Sequence, residues 1–319
     1  MQYAHISGID KPISRLVQGT MMLNSSNQEE SFALLDAVYA LGCRTFDTAH
    51  VYGGGQSERV LGNWLKSSGV RDEVVILGKG AHHNQDRKCV TPFDITAHIH
   101  DSLARLQVDH IDLYLLHRDD PSVPVGPIVE RLNEHQRTGD IGAFGGSNWS
   151  QQRLQEANDY AVAHGLRPFV ASSPNYSLAD QKQPPWPDCV TISGPDNQAA
   201  RDWYLANQMP LFTWSSLAGG FFTDRFQRDN LDTFEQYMDK VVIAAYCYED
   251  NFQRLDRARH LAQEKGLTVP QIALAFVLNQ PLNIFALVGC RSGEEFKANL
   301  EASTLALTAA ELAWLDLKS

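Results

Sequence analysis

Short apolar, β-branched runs alternate along the chain with longer stretches whose apolar residues recur every three or four positions. Residues 14–20 (SRLVQGT) form the first short run and predict a strand. Across 29–41, Phe32, Leu35 and Val38 fall on one stripe and Gly42 stops the pattern, which predicts a helix. The rhythm repeats. Residues 44–49 (RTFDTA) predict a strand, and 57–67 a helix opened by Ser57 as its cap. Residues 74–80 (VVILGKG) predict a strand, and 92–107 a helix with Ile95, Ile99, Leu103 and Leu106 on one face. Residues 111–117 (IDLYLLH) predict a strand and 128–138 a helix. In the second half, 141–148, 168–174, 210–216 and 284–290 predict strands. Helices are predicted over 151–164, 196–208, 251–265, 269–278, 292–302 and 309–317.

Eight strands, each followed by helix and with no antiparallel hairpin in the series, are the pattern of an α/β (β/α)8 TIM barrel. The expectation is one domain over 1–319, with extra helices and an N-terminal β-hairpin. That hairpin lies in 1–13, where Ser7-Gly8 and Asp10-Lys11-Pro12 supply turn residues. A doubly wound sheet would need a glycine fingerprint after the first strand. That place holds Gly19-Thr20-Met21-Met22-Leu23, without G-x-G-x-x-G. Two connections are predicted as long loops, 177–195 and 221–249, and long loops on a barrel tend to serve function.

Composition narrows the class. Apolar residues are 43% and charged residues 20%, a globular balance that excludes a disordered chain. The net charge of −11 argues against nucleic acid or an anionic membrane as a partner. An anionic cofactor would therefore need local positive groups. Five cysteines lie scattered without a C-x-x-C pair, as in reduced cytoplasmic proteins. The first residues show no signal-peptide pattern, and no apolar run suits a membrane span.

Barrel chemistry sits at the C-terminal ends of strands. Those ends carry Asp47, Lys79, His117, Ser147-Asn148 and Trp214-Ser215-Ser216, with Tyr52 in the loop five residues past Asp47. Alone, Asp47 and Lys79 read as a rim ion pair and His117 as a packing residue. Together with Tyr52 they form an acid–base cluster. His82-His83 does not read as a metal site, because adjacent side chains diverge and no third ligand has suitable spacing. No metal is expected.

The run Phe46-Asp47-Thr48-Ala49-His50-Val51-Tyr52-Gly53-x-x-x-Ser57-Glu58 resembles the aldo-keto reductase signature. Lys79, Leu115-Leu116-His117, Gly145-Gly146-Ser147-Asn148 and Trp214-Ser215-Ser216-Leu217-Ala218-Gly219-Gly220 extend the resemblance over nearly the whole chain. It implies hydride transfer between NADPH, with NADH as a possible substitute, and a small-molecule carbonyl. Tyr52 would protonate the carbonyl oxygen. Lys79 would lower the phenol's pKa from its free value near ~10. Asp47 would hold Lys79, and neutral His117 would orient the carbonyl. Ser147, Asn148 and Ser173 would fix the carboxamide, and Trp214 would stack on the ring. Ser215, Ser216, Leu217 and Gly219 would approach the pyrophosphate, and Gly19, Thr20, Met21 and Asp47 would also lie beside the cofactor. Gly289, Arg291, Ser292, Glu295 and Asn299 would clamp the adenosine phosphate.

Three positions depart from the family pattern: Ser173 replaces the usual Gln, Ser216 the usual Pro, and Glu295 a Gln or Arg. An acidic residue at 295 opposes a 2′-phosphate and leaves NAD use open. An NAD-linked sugar or polyol dehydrogenase and a channel-associated, cofactor-binding regulatory subunit are the alternatives. Met21-Met22, Tyr52, His82-His83, Trp149, Phe221-Phe222 and Arg118-Asp119-Asp120 are expected to face the pocket. That mixture suits a sugar-like carbonyl.

Overall fold

The computed structural model describes residues 1–318; Ser319, the last residue of the expected domain, lies outside the described residues. The strands with near-continuous apolar runs become the barrel wall. In chain order these are β3 (Leu16–Gly19), β4 (Thr45–Asp47), β5 (Val75–Gly80), β6 (Ile111–Leu116), β7 (Ile141–Ser147), β8 (Ala171–Ser173), β9 (Leu211–Thr213) and β10 (Ile284–Val288). They form a closed barrel in the order β10-β3-β4-β5-β6-β7-β8-β9. Residues in β4, β5, β6, β8, β9 and β10 are buried at every position, as parallel strands covered on both faces require. The helices between them are α1 (Gln28–Ala40), α2 (Gln56–Ser68), α3 (Pro92–Leu106), α4 (Val125–Thr138), α5 (Gln151–Ala163) and α6 (Gln198–Asn207). After β9 come α7 (Tyr237–Tyr246), α8 (Glu249–Lys265) and α9 (Val269–Leu278). After β10 come α10 (Gly293–Ala302) and α11 (Ala309–Leu315).

The chain packs as two compact units, Met1–Ser173 with Gly289–Phe296, and Pro174–Val288 with Lys297–Ser319. In the first, β1 (Tyr3–Ile6) and β2 (Ile9–Ser14) pair antiparallel as the expected hairpin. Its turn residue Gly8 has φ +87°, and a Cβ there would lie 3.5 Å from Ala143 near the start of β7, so the hairpin lies at the barrel floor. At the opposite rim, register aligns Gly19 with Asp47, Asp47 with Leu77, Lys79 with Leu115 and Ser147 with Ser173. The polar residues that end these strands therefore gather at one end.

Several local expectations are corrected. Helix α2 begins one residue before Ser57, with Gly55 at its N-cap. Ser57 is buried inside the helix, where its hydroxyl meets Thr20 rather than an N-terminal amide. The segment 221–249 is not one loop. It holds 3-10 turns and α7, whose Val242, Ala245 and Tyr246 are buried. The strands predicted over 44–49, 168–174 and 210–216 pair over three residues each, because their ends leave the ladder to form loops. No helix among the described residues is long and apolar enough to cross a membrane.

Candidate active site

The loop after β4 carries Tyr52 into a turn made by Gly53, Gly54 and Gly55, all with positive φ. Glycine is needed at 55 for space as well, since a Cβ would meet the Arg105 guanidinium at 2.8 Å. Arg105 Nη1 donates to the His50 carbonyl at 3.0 Å and to Glu58 Oε2 at 3.1 Å. The Glu58 side chain is wholly buried, so this ion pair ties the Tyr52 loop to α2 and α3. On the other side, the Thr20 amide and hydroxyl both donate to the Asp47 carbonyl at 2.9 Å. Thr20 thus pegs the backbone of Asp47.

Lys79 ends β5. Its Nζ donates to Asp47 Oδ1, and lies 3.3 Å from Tyr52 Oη as a second donor contact. Both members of the ion pair are almost fully buried. The His117 ring meets the Tyr52 ring edge-on, with centroids 5.8 Å apart. His117 is buried and its Nδ1 has no hydrogen-bond partner among the described residues. The structure therefore brings Asp47, Tyr52, Lys79 and His117 into one cluster.

The electrostatics follow from burial and from that pair. Desolvation works against the Lys79 ammonium, but the charges of Asp47 and Tyr52 outweigh it and hold Lys79 above its ordinary pKa. Burial pushes the Tyr52 phenol up; Lys79 opposes this without reversing it. The expected net lowering is thus corrected: in the free chain the phenol keeps its proton. Burial, reinforced by Lys79 and Arg118, holds His117 well below the usual histidine range, so its imidazole is neutral.

Next to this cluster, Ser147 Oγ donates to the Ser173 carbonyl at 3.0 Å and the Asn148 amide to the same oxygen at 3.1 Å. Asn148 has φ +59°, and its Nδ2 donates to the His117 carbonyl at 3.2 Å. The Ser173 hydroxyl is buried without a partner among the described residues, a polar atom free to pair with a bound group. Gly19 pairs with Asp47 in the ladder, and Met21 is 54% exposed beside it in sequence. In the turn 289–296, Gly289 and Arg291 are exposed. The Arg291 amide donates to Glu295 Oε2 at 2.8 Å, and the Glu295 amide to Ser292 Oγ at 3.2 Å. Ser292 thus caps the Glu295 amide at the start of α10, while the Glu295 carboxylate holds the Arg291 amide just before it.

The second unit carries its own polar turn. Trp214 is half-buried, with a buried indole nitrogen that has no partner among the described residues. Asn175 Nδ2 donates to the Trp214 carbonyl at 3.1 Å and to Tyr246 Oη at 3.2 Å, which anchors the turn to α7. Ser216 fills the family's proline position by donating its hydroxyl to the Thr213 carbonyl at 3.0 Å. Ser215, Ala218, Gly219 and Gly220 all have positive φ, a backbone that suits an anion-binding concavity. A Cβ at Gly219 would meet Val242 at 2.9 Å. Leu217 is half-buried in this turn, and Asn299 is buried in α10.

Several expected pocket residues are elsewhere. Trp149 is fully buried, its indole donating to the Arg118 carbonyl at 3.1 Å. Phe221 and Phe222 are fully buried in an aromatic cluster of the second unit. Arg118 turns back onto the His117 carbonyl, and Asp119 pairs with Arg153 at 3.2 Å. His82 does join the cluster, edge-on to His117 with centroids 4.9 Å apart. Sequence reasoning gave Glu58 no role beyond the signature and missed Arg105 and His98, whose Nδ1 accepts from the Ala81 amide at 2.9 Å. Their signal is positional: each faces the Tyr52 or Lys79 loop from a neighbouring helix.

The sequence model described as the Aldo/keto reductase family matches residues 15–319. The chain belongs to the aldo/keto reductase family. It is an NAD(P)H-dependent oxidoreductase of a family that acts on small-molecule carbonyl substrates. It is 28% identical to the uncharacterized oxidoreductase YrpG of Bacillus subtilis, over 96% of this chain and 92% of the relative. It is 26% identical to the probable aryl-alcohol dehydrogenase AAD4 of Saccharomyces cerevisiae, over 92% and 89%. The solved thermostable aldo-keto reductase Tm1743 superposes with TM-score 0.76 at 23% identity, covering 100% of each chain, which shows the shared fold.

Proposed function

We propose that this enzyme is a cytoplasmic NADPH-preferring reductase of aldehydes or ketones, with 1–319 acting as one catalytic domain. The observation that carries the reading is Lys79 Nζ held between Asp47 Oδ1 and Tyr52 Oη, with neutral His117 edge-on to the phenol. None of the five cysteines is in a disulfide among the described residues, in keeping with a reducing compartment.

When bound, the nicotinamide supplies the hydride that reaches the carbonyl carbon. Tyr52 Oη gives its proton to the carbonyl oxygen, which becomes the hydroxyl of the alcohol product. The phenolate left behind is stabilised by the Lys79 ammonium, which Asp47 keeps charged and aimed. The neutral His117 donates to the same carbonyl oxygen and favours its developing charge. Ser147, Asn148 and Ser173 would hold the carboxamide, with the unpartnered Ser173 hydroxyl supporting that assignment. In the second unit, Trp214 offers an aromatic face, and the turn that carries Leu217 between the positive-φ residues Ser215 and Gly219 suits a pyrophosphate.

Cofactor preference rests on the 289–296 turn. Arg291 is exposed and makes no ion pair among the described residues, so its guanidinium is available to a 2′-phosphate. Glu295 accepts from the Arg291 amide and puts a carboxylate beside that place, which tolerates NADH. The test is initial-rate reduction of a simple aldehyde with NADPH and NADH in parallel. Arg291→Ala should weaken NADPH about tenfold more than NADH. Equal losses would remove the NADPH assignment, and no turnover with either cofactor would remove the reductase reading.

A further inference from the structure

The chain turns at Ala81, three residues before Asn84, with φ +56°, and the Ala81 amide is pinned by His98 Nδ1 at 2.9 Å. This turn sets the His82 ring edge-on to His117, with centroids 4.9 Å apart and planes at 74°. His82 Nδ1 lies 2.7 Å from the His83 carbonyl oxygen. A carbonyl only accepts, so Nδ1 carries the proton and fixes the tautomer. Burial, with the nearby charges of Arg118 and His83, holds the His82 pKa below the ordinary value, so the ring is neutral near pH 7. Its Nε2 is then an acceptor, and it has no hydrogen-bond partner among the described residues.

The polar groups around His117 are thus of two kinds. The Tyr52 hydroxyl and the neutral His117 are donors, matched to a carbonyl oxygen. His82 Nε2 is an acceptor, which a carbonyl oxygen cannot satisfy but a hydroxyl can. Trp149, Phe221 and Phe222, expected at the pocket wall, are instead fully buried in packing.

We propose that His82 determines specificity by accepting a hydrogen bond from a hydroxyl next to the reacting carbonyl, so that 2-hydroxy aldehydes and ketones are the preferred substrate class. This rests on the reductase reading above, because it takes His117 to mark where the carbonyl sits. A substrate without the hydroxyl leaves Nε2 desolvated and unpaired, whereas one with it gains a bond.

The experiment compares kcat/KM for two matched pairs, glycolaldehyde against acetaldehyde and glyceraldehyde against propanal, corrected for the free carbonyl fraction. The wild type, His82→Phe and His82→Gln are measured with NADPH. The wild type should favour the hydroxylated member by about tenfold, the scale of one hydrogen bond to a desolvated acceptor. His82→Phe, which keeps a flat ring but has no acceptor, should bring the ratio to within about twofold. His82→Gln, which restores an acceptor oxygen, should recover part of it. A wild-type ratio near one, or a ratio unchanged in His82→Phe, overturns the inference. Absence of turnover on all four aldehydes instead overturns the reductase reading, and this inference with it.

Discussion

Two buried carboxylates in the first unit sit at opposite ends of β4 and β6, the strands on either side of β5. Asp112, at the start of β6, accepts from Lys11 at 2.9 Å, from Arg71 at 3.0 Å and from the Ile76 amide at 2.8 Å. Lys11 also donates to the carbonyls of Arg71 and Val74. Every group there is matched, and together they clamp the N-terminal hairpin to the barrel floor. Asp47, at the end of β4, has Lys79 as its side-chain partner, and Lys79 reaches on to Tyr52. Around it the His117 Nδ1 and the Ser173 hydroxyl stay unpaired among the described residues although buried. A saturated carboxylate holds the fold together. A carboxylate set among unpaired polar atoms gives up stability and leaves room for a ligand.

The contrast makes predictions of decreasing size. Tyr52→Phe should lower kcat for aldehyde reduction about 10²–10⁴-fold, the typical cost of losing a general acid. Its melting midpoint should stay close to wild type. Activity within a few-fold of wild type would sink the assignment, and a large fall in stability would erase the distinction between the two ends.

Asp112→Asn should do the reverse. It leaves the Lys11 and Arg71 charges without their counter-charge and weakens the acceptor for the Ile76 amide. The expected loss is about 1–3 kcal/mol of unfolding free energy, read by urea titration. Lys11 and Arg71 are partly exposed and can rehydrate, which keeps the loss below that of a sealed pair. Aldehyde turnover at 25 °C should be unaffected. A change in kcat as large as that in Tyr52→Phe would mean that the floor is coupled to the chemistry.

The smallest effect concerns His98, whose Nδ1 accepts the Ala81 amide and whose pKa is lowered to about 4 by burial, with His50 adding repulsion. An unfolded histidine titrates near ~6.5. Between those values the unfolded chain holds a proton that the folded one refuses, so stability falls as pH drops from 6.5 toward 4. After discounting for partial exposure, the contribution between pH 7 and 5 is about 1 kcal/mol. His117 adds a slope of the same sign. His98→Asn cannot take up the proton and should flatten the stability profile over this range. An unchanged slope would mean that His98 charges freely in the folded enzyme.

Much of the site was legible because barrel strands deliver their last residues to one rim. Asp47, Lys79, His117 and Ser147 were readable from strand ends alone. Trp149 was not, since an aromatic one residue past the Ser147-Asn148 pair is equally compatible with pocket and core. Its burial follows from the indole reaching the Arg118 carbonyl, a partner 31 residues away. Helix α7 escaped notice because the segment around it is broken by polar residues and 3-10 turns. Glu295 was judged by its charge, although Ser292 three residues earlier already marked a helix start, where Ser292 takes the Glu295 amide and Glu295 the Arg291 amide.

The amino-acid sequence by itself determined the strand and helix rhythm, the hairpin, the family signature and the identity of the four clustered residues. These depend on periodicity and on spacing within single elements, which a linear pattern records. The tertiary structure alone decided which polar groups are paired, which way the net shift of Tyr52 runs, and which histidine nitrogen is left to accept. Those outcomes depend on burial and on partners far apart in the chain, such as Lys79 with Tyr52 and Glu58 with Arg105. Desolvation is a property of the packed interior, and no local stretch of sequence encodes it.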